Sequence, residues 1–265
     1  MTDYPKFTQI KQKFTLHKVK DINKNIKSEI AKLKLHNRIK HGNTVAVTAG
    51  SRGITEINTI TKMVIDEVIK LGGKPFIIPA MGSHGGATAE GQLKVLTGYG
   101  ITEERMGVPI KSSMEVIRIG ESREGIPVYV DKNALTADHI VVINRVKSHT
   151  RFIGKIESGL IKMLMVGLGK DTGAKIYHRA IMKYSFDQII ASVLPVIQSK
   201  LPVLFGLAII ENAFGDVAQI QAVPGEDFIK VEPKLKKYSF KMMAKLPIRD
   251  IDLLIVDEIG KDISG

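Results

Sequence analysis

Apolar residues recur along this chain in two alternating rhythms. Short runs with little polar interruption, TVAVTA (44–49), PFIIPA (75–80), HIVVIN (139–144), VLFGLAII (203–210) and IDLLIVD (251–257), have the length and composition of strands buried on both faces. Between them apolar residues fall three or four apart. Ile22, Ile26, Ile30 and Leu33 predict a helix over 22–35 behind an Asp21 cap. Ile57, Ile60, Val64 and Val68 predict a second, capped by Thr55 and stopped at Gly72-Gly73. Further helices are expected from Thr88, from about Glu157 to Val166 and from about Tyr184 to Ser199, and EVIRIG and IPVYV read as strands joined across ESREG.

Strands alternating with helices predict an α/β, doubly wound, Rossmann-like fold with a mostly parallel sheet. Residues 1–200 are expected to form an N-terminal cofactor-binding α/β domain. Residues 201–265 would close that domain and begin a second, truncated α/β domain, because IDLLIVD reads as a parallel strand with no returning helix behind it. In such sheets ligands bind at the carboxyl ends of the strands. Three loops rich in polar and glycine residues fall on that edge: 50–54, 81–87 and 145–156.

Composition narrows the chemistry. The 265 residues contain no cysteine, which excludes thiolate nucleophiles, zinc–thiolate sites and iron–sulfur clusters within them. No stretch approaches the roughly 20 uncharged apolar residues of a membrane span, and the N-terminus lacks the apolar segment of a secretory signal, so a soluble cytoplasmic protein is expected. The formal net charge of +12 asks for an anionic partner. The lysines are scattered, tryptophan is absent and aromatics make up 6% of the chain, a poor platform for stacking bases. A small anion or a phosphate accounts for the charge better than nucleic acid does.

Four places could carry chemistry. Arg52, in TAGSRG, follows a buried strand with glycines on either side, where a guanidinium fork suits a carboxylate or phosphate; a surface arginine on a turn is the plain alternative. His84, in GSHGGATAEGQ, is flanked by glycines ahead of a helix start; the alternative is a turn with an incidental histidine. NRVKSHTRF places His149 among Arg145, Lys147 and Arg151, whose charges would disfavour its protonated form, unless the basic residues merely line a solvent-facing loop.

The fourth is Lys162, inside the apolar run LIKMLMV. If 157–168 is helical, Lys162 leans over Ser158 and Gly159, the smallest residues of the segment, with no carboxylate three or four positions away. That predicts a shelf beneath a desolvated amine with a lowered pKa, fit to be a nucleophile or covalent anchor. The alternative is a lysine that snorkels to water. His178 follows 16 residues later, where a histidine is ordinarily structural or exposed.

Taken together, TAGSRG, GSHGGATAEGQ, NRVKSHTRF, ESGLIKMLMVGLGK and YH, in that order over about 44–180, resemble the lactate racemase family. The resemblance implies a racemase or epimerase of a small anionic 2-hydroxy acid that uses a nickel-pincer nucleotide made by dedicated biosynthetic proteins. In that family a lysine is joined to the pyridinium nucleotide as a thioamide, and a histidine 16 residues on completes the nickel coordination. Carried over, Lys162 is the tether, His178 the nickel ligand, His84 and His149 the paired acid and base, Arg52 the carboxylate arginine, and Ser158 and Gly159 the seat of the nucleotide. The chain departs from the lactate-active pattern at Ala49, where an acidic residue stands three positions before the arginine. A nucleotide- or phosphate-binding module, with Lys162 only a charge partner, is the alternative reading.

Overall fold

The computed structural model describes residues 7–14, 16–149 and 153–259. Its centre is a five-stranded sheet in the order β2-β1-β5-β6-β7. The strands are β1 (Thr44–Ala49), β2 (Lys74–Pro79), β5 (His139–Arg145), β6 (Val203–Glu211) and β7 (Val217–Pro224). β1 runs parallel to β2 and β5, β5 parallel to β6, and only β7 returns antiparallel. The mostly parallel α/β sheet expected from the apolar runs is therefore present.

Alternate residues of each strand feed two separate cores, as the pleat requires. In β5, Ile140 and Val142 face one core and Val141 and Ile143 the other. The second core is covered by α1 (Ile22–Lys32), α2 (Ile57–Lys70), α3 (Ala89–Gly98) and the short α4 (Glu103–Met106). The first is covered by a hairpin of β3 (Val116–Glu121) and β4 (Pro127–Asp131), followed by the single turn α5 (Lys132–Leu135). It is closed by α6 (Leu160–Lys162), α7 (Lys170–Ala180), α8 (Phe186–Lys200) and α9 (Phe228–Met242). No helix among the described residues is long and apolar enough to cross a membrane.

Several local expectations need correction. Asp21 does cap α1, accepting from the Lys24 N–H at 2.8 Å. Thr55 does not cap α2: Glu56 takes that place in a left-handed conformation, and the Thr55 N–H donates to Glu211 Oε1 at 2.8 Å. Helical structure does not begin at Glu157. Ser158 is still extended, its carbonyl accepting from the Lys147 N–H at 3.0 Å, and α6 begins at Leu160. α6 then widens into a π-helical turn over Met163–Gly167, closed by the Leu168 N–H donating to the Met163 carbonyl at 2.9 Å.

IDLLIVD is not a strand: residues 250–259 are exposed and irregular and join no described sheet. β7, in contrast, has no continuous apolar run: VAQIQAVP has polar residues at 219 and 221 and needs only one neighbour, β6.

Candidate functional site

The sheet has one place where connections leave in opposite directions. From β1 the chain crosses through α2 to β2 on one side, while β5 and β6 extend the sheet on the other. The crevice between the carboxyl ends of β1 and β5 is thus the topological switch point, where ligands of open α/β sheets bind. Residues 50–53 leave β1 and 146–149 leave β5 at this edge, and residues 80–87 leave β2 beside them.

Lys162 is half-buried at the end of α6. Its amine is pulled from 10.5 to about 8, first by burial and then by the charges of Arg52 and Lys147. The shelf expected beneath it over Ser158 and Gly159 is absent. Gly159 sits at the N-terminus of α6 with an extended backbone, and the carboxylate of Glu232, arriving from α9, covers it: a Cβ there would lie 2.3 Å from Glu232 Oε1. Glu232 accepts the Ile161 N–H at 3.0 Å, so a buried carboxylate terminates this helical start. Burial pushes Glu232 up to about 7, opposed by the bonds it accepts from Ile161 and Leu160. Asn144, at the end of β5, donates to the Gly159 carbonyl at 2.8 Å.

His149 is half-buried on the loop after β5, and its imidazole is driven down to about 4. Burial is the first cause, followed by Lys162 and Lys147, with Arg52 a lesser one and Glu157 opposing. Of the flanking cations read from NRVKSHTRF, Lys147 acts on it, while Lys162 and Arg52 come from elsewhere in the chain. Arg145 is ion-paired with Glu211, and Arg151 lies outside the described residues. Lys147 is itself pulled to about 8 by burial and by Arg145 and Arg52, against Glu211. The His149 backbone N–H donates to Glu157 Oε2 at 2.7 Å, and Glu157 is in turn ion-paired with Lys236 from α9.

Arg52 and His84 are exposed, on adjacent loops. They are joined through Ser51, whose hydroxyl shares a hydrogen bond with His84 Nδ1. Tyr99 at the end of α3 donates to the Ser51 carbonyl at 2.8 Å, which steadies the turn between them. The His84 loop lies close on α3: a Cβ on Gly91 would fall 1.8 Å from the Gly85 carbonyl oxygen, so only glycine admits the approach. His178 is exposed on α7, one helical turn past Ala174, which packs beneath Gly82 at the root of the same loop.

Arg52, Lys147, His149 and Lys162 therefore form one electrostatic cluster, with His84 tied to it through Ser51. Ser158, half-buried, is held opposite Lys147 in the ladder at its edge. Lys147 is legible in the sequence as a cation beside His149, but not as a desolvated amine in its own right. Glu211 and Glu232 give no sequence signal; Glu232 reaches α6 from 71 residues away.

The arrangement suits an anion with an electrophilic group. An amine near neutrality fits covalent attachment, and the surrounding cations fit a phosphate or carboxylate. Among the described residues no group of three or more His, Cys, Asp or Glu could hold a metal.

Residues 6–188 match the family model for the lactate racemase N-terminal domain, and the chain belongs to that family. Among solved structures it is similar to the lactate racemase apoprotein from Thermoanaerobacterium thermosaccharolyticum, with a TM-score of 0.61 and 13% identity. The match covers 82% of this chain and 55% of that one, so the chain spans little more than half the length of that relative. At this identity the likeness is one of fold. No curated protein matches the chain.

Proposed function

We propose that this protein serves a racemase or epimerase of a small anionic 2-hydroxy acid, with Lys162 as the tether of a nickel-pincer nucleotide. The observation that carries the reading is the desolvated Lys162 amine, held near pKa 8 beside Arg52 and Lys147 at the switch point of the sheet. At neutral pH about a tenth of such an amine is uncharged, roughly 300-fold more than for a free lysine. That is the form an acylation needs.

In this reading Lys162 and His178 hold the cofactor, with Ser158 at its edge and Gly159 fixing the backbone beneath the tether. When bound, the cofactor supplies a reversible acceptor for the substrate's α-hydrogen as hydride. The protein's own work is orientation and proton transfer. Arg52 grips the carboxylate, with Lys147 adding charge behind it. Inverting a centre needs a proton-transfer group on each face, and His84 and His149 come from different loops. His149 is neutral at physiological pH and so able to accept the hydroxyl proton. His84 is anchored through Nδ1, so a proton it exchanges with a ligand passes through Nε2. A thioamide at Lys162 would remove the foremost cation depressing His149 and so make that imidazole a stronger base.

The test is to produce the protein in cells that make the cofactor and to measure intact mass and nickel. An adduct of nucleotide size with about one nickel per chain, both lost in Lys162→Ala, is expected. An unmodified mass without nickel, while a lactate racemase loads in the same cells, would overturn the tether. Reversible nickel-free binding of a nucleotide would establish the binding-module alternative in its place.

A further inference from the structure

The stretch GLGK ends in a lysine that the chemistry above does not use. Lys170 and Asp131 are both fully buried, and their charged groups lie 2.9 Å apart. Lys170 also has φ +53, a left-handed backbone that a side-chain-bearing residue seldom adopts. A buried ion pair is seldom a gain over apolar packing, so a strained one points to something that it holds in place.

The Lys170 ammonium donates to the Pro79 carbonyl, the last residue of β2, and to Gln92 Oε1 at 3.2 Å. Gln92, equally buried at the start of α3, donates through its other end. Its Nε2 reaches the carbonyl of Gly82 at 3.0 Å and that of His84 at 3.3 Å. The Gly82 N–H in turn donates to the Gly167 carbonyl at 3.2 Å, at the end of the π-helical turn that follows Lys162. A carboxamide has one acceptor end and one donor end. With Lys170 beside it, the acceptor end must face the ammonium, which leaves the donor end for the loop carbonyls.

We infer that Lys170 is a positioning residue: through Gln92 it fixes the backbone of the His84 loop and so sets the His84 imidazole against Ser51, in register with the turn that bears Lys162. Asp131 balances the charge, and the left-handed backbone at Lys170 lets α7 begin while its side chain turns back under β2. The inference rests on the proposed function only for the consequence of misplacing His84; the placement itself is independent of any ligand.

The experiment uses the whole chain labelled at histidine nitrogen, with the His84 signal assigned from His84→Gln. Wild type, Lys170→Met and Gln92→Met are compared by the tautomer pattern and titration of each imidazole, with thermal unfolding as the control for folding. Gln92→Met keeps the Lys170–Asp131 pair and removes only the link to the loop, so it decides the matter if Lys170→Met does not fold. Expected in both is loss of the Nδ1 bond signature of His84 and a titration displaced by about half a pH unit or more, with His149 unmoved. In cofactor-loaded protein kcat should fall at least tenfold with little change in KM. A folded Gln92→Met whose His84 tautomer and titration match wild type would overturn the inference. If loaded wild type has no racemase activity, the functional reading fails and the imidazole signals still judge Lys170.

Discussion

Lys162→Met in the apoprotein tests the electrostatics of the crevice directly. The folded amine titrates near 8 and the unfolded one near 10.5. At about 1.4 kcal/mol per pH unit, holding it charged at pH 7 costs about 3 kcal/mol, which screening of its solvent-facing part reduces to about 2 kcal/mol. A group whose folded pKa is lowered binds more protons when unfolded, so stability rises with pH between 8 and 10.5. Below pH 8 the full cost is present; above 10.5 it has gone. Methionine matches the lysine stem and carries no charge. The variant should therefore melt about 4 °C above wild type at pH 7, with the difference shrinking through pH 8–10.5 and vanishing beyond. Thermal unfolding followed by circular dichroism across pH 6–11 measures this. A difference independent of pH, or a variant less stable at pH 7, would refute the claim that burial, Arg52 and Lys147 together disfavour the ammonium.

The same variant should raise the titration midpoint of His149 from about 4 by at least about half a pH unit, and Lys147→Met should move it the same way, both read by histidine NMR. In wild type His149 favours folding while both states are neutral, and part of that stability is lost as pH falls from 6.5 towards 4; His149→Gln should blunt the acid sensitivity of unfolding in that window. Gly159→Ala should cost about 2–3 kcal/mol in urea unfolding, because its Cβ would fall 2.3 Å from a buried carboxylate oxygen; an unchanged midpoint would mean that Glu232 does not sit there. Glu232 has its folded pKa raised to about 7, so its stability is complete below about 4.5 and is lost as pH rises through 7. Glu232→Gln should match wild type near pH 5 and exceed it at pH 8, since the amide oxygen still accepts from the start of α6.

The parallel strands were legible because helices cover both faces of the sheet, which turns each strand into a nearly continuous apolar run. The same rule misled at IDLLIVD, whose apolar residues are exposed outside any described sheet, and it passed over β7, whose one-sided pairing tolerates Gln219 and Gln221. At the site, a lysine inside an apolar run announced itself. The helix assumed for its surroundings did not hold, because three consecutive residues, Glu157, Ser158 and Gly159, are spent on extended backbone and a cap. Besides burial, what acts on Lys162 comes from residues 52 and 147, on loops that only the strand order brings together. Periodicity speaks of neighbours three or four positions away; it is silent on a carboxylate that arrives from α9.

Each loop at the crevice is irregular backbone, and each is held by a charged group from a different element. Glu157 and Lys236 clamp the loop of His149, Lys170 and Gln92 that of His84, Glu232 the start of α6, and Glu211, paired with Arg145, the Thr55 turn after β1. Four carboxylates are drawn towards the site's supports, counting Asp131 beneath Lys170 with Glu157, Glu211 and Glu232, and an apolar strut would have cost less to bury than any ion pair. The pattern makes sense if the supports must be rigid while the crevice stays positive. Glu157 and Glu211 are already engaged by Lys236 and Arg145, so they moderate the field of Arg52, Lys147 and Lys162 without cancelling it. The desolvated lysines and the neutral imidazole follow from that choice, and an incoming anion or a covalent bond at Lys162 relieves charge the fold has gathered there.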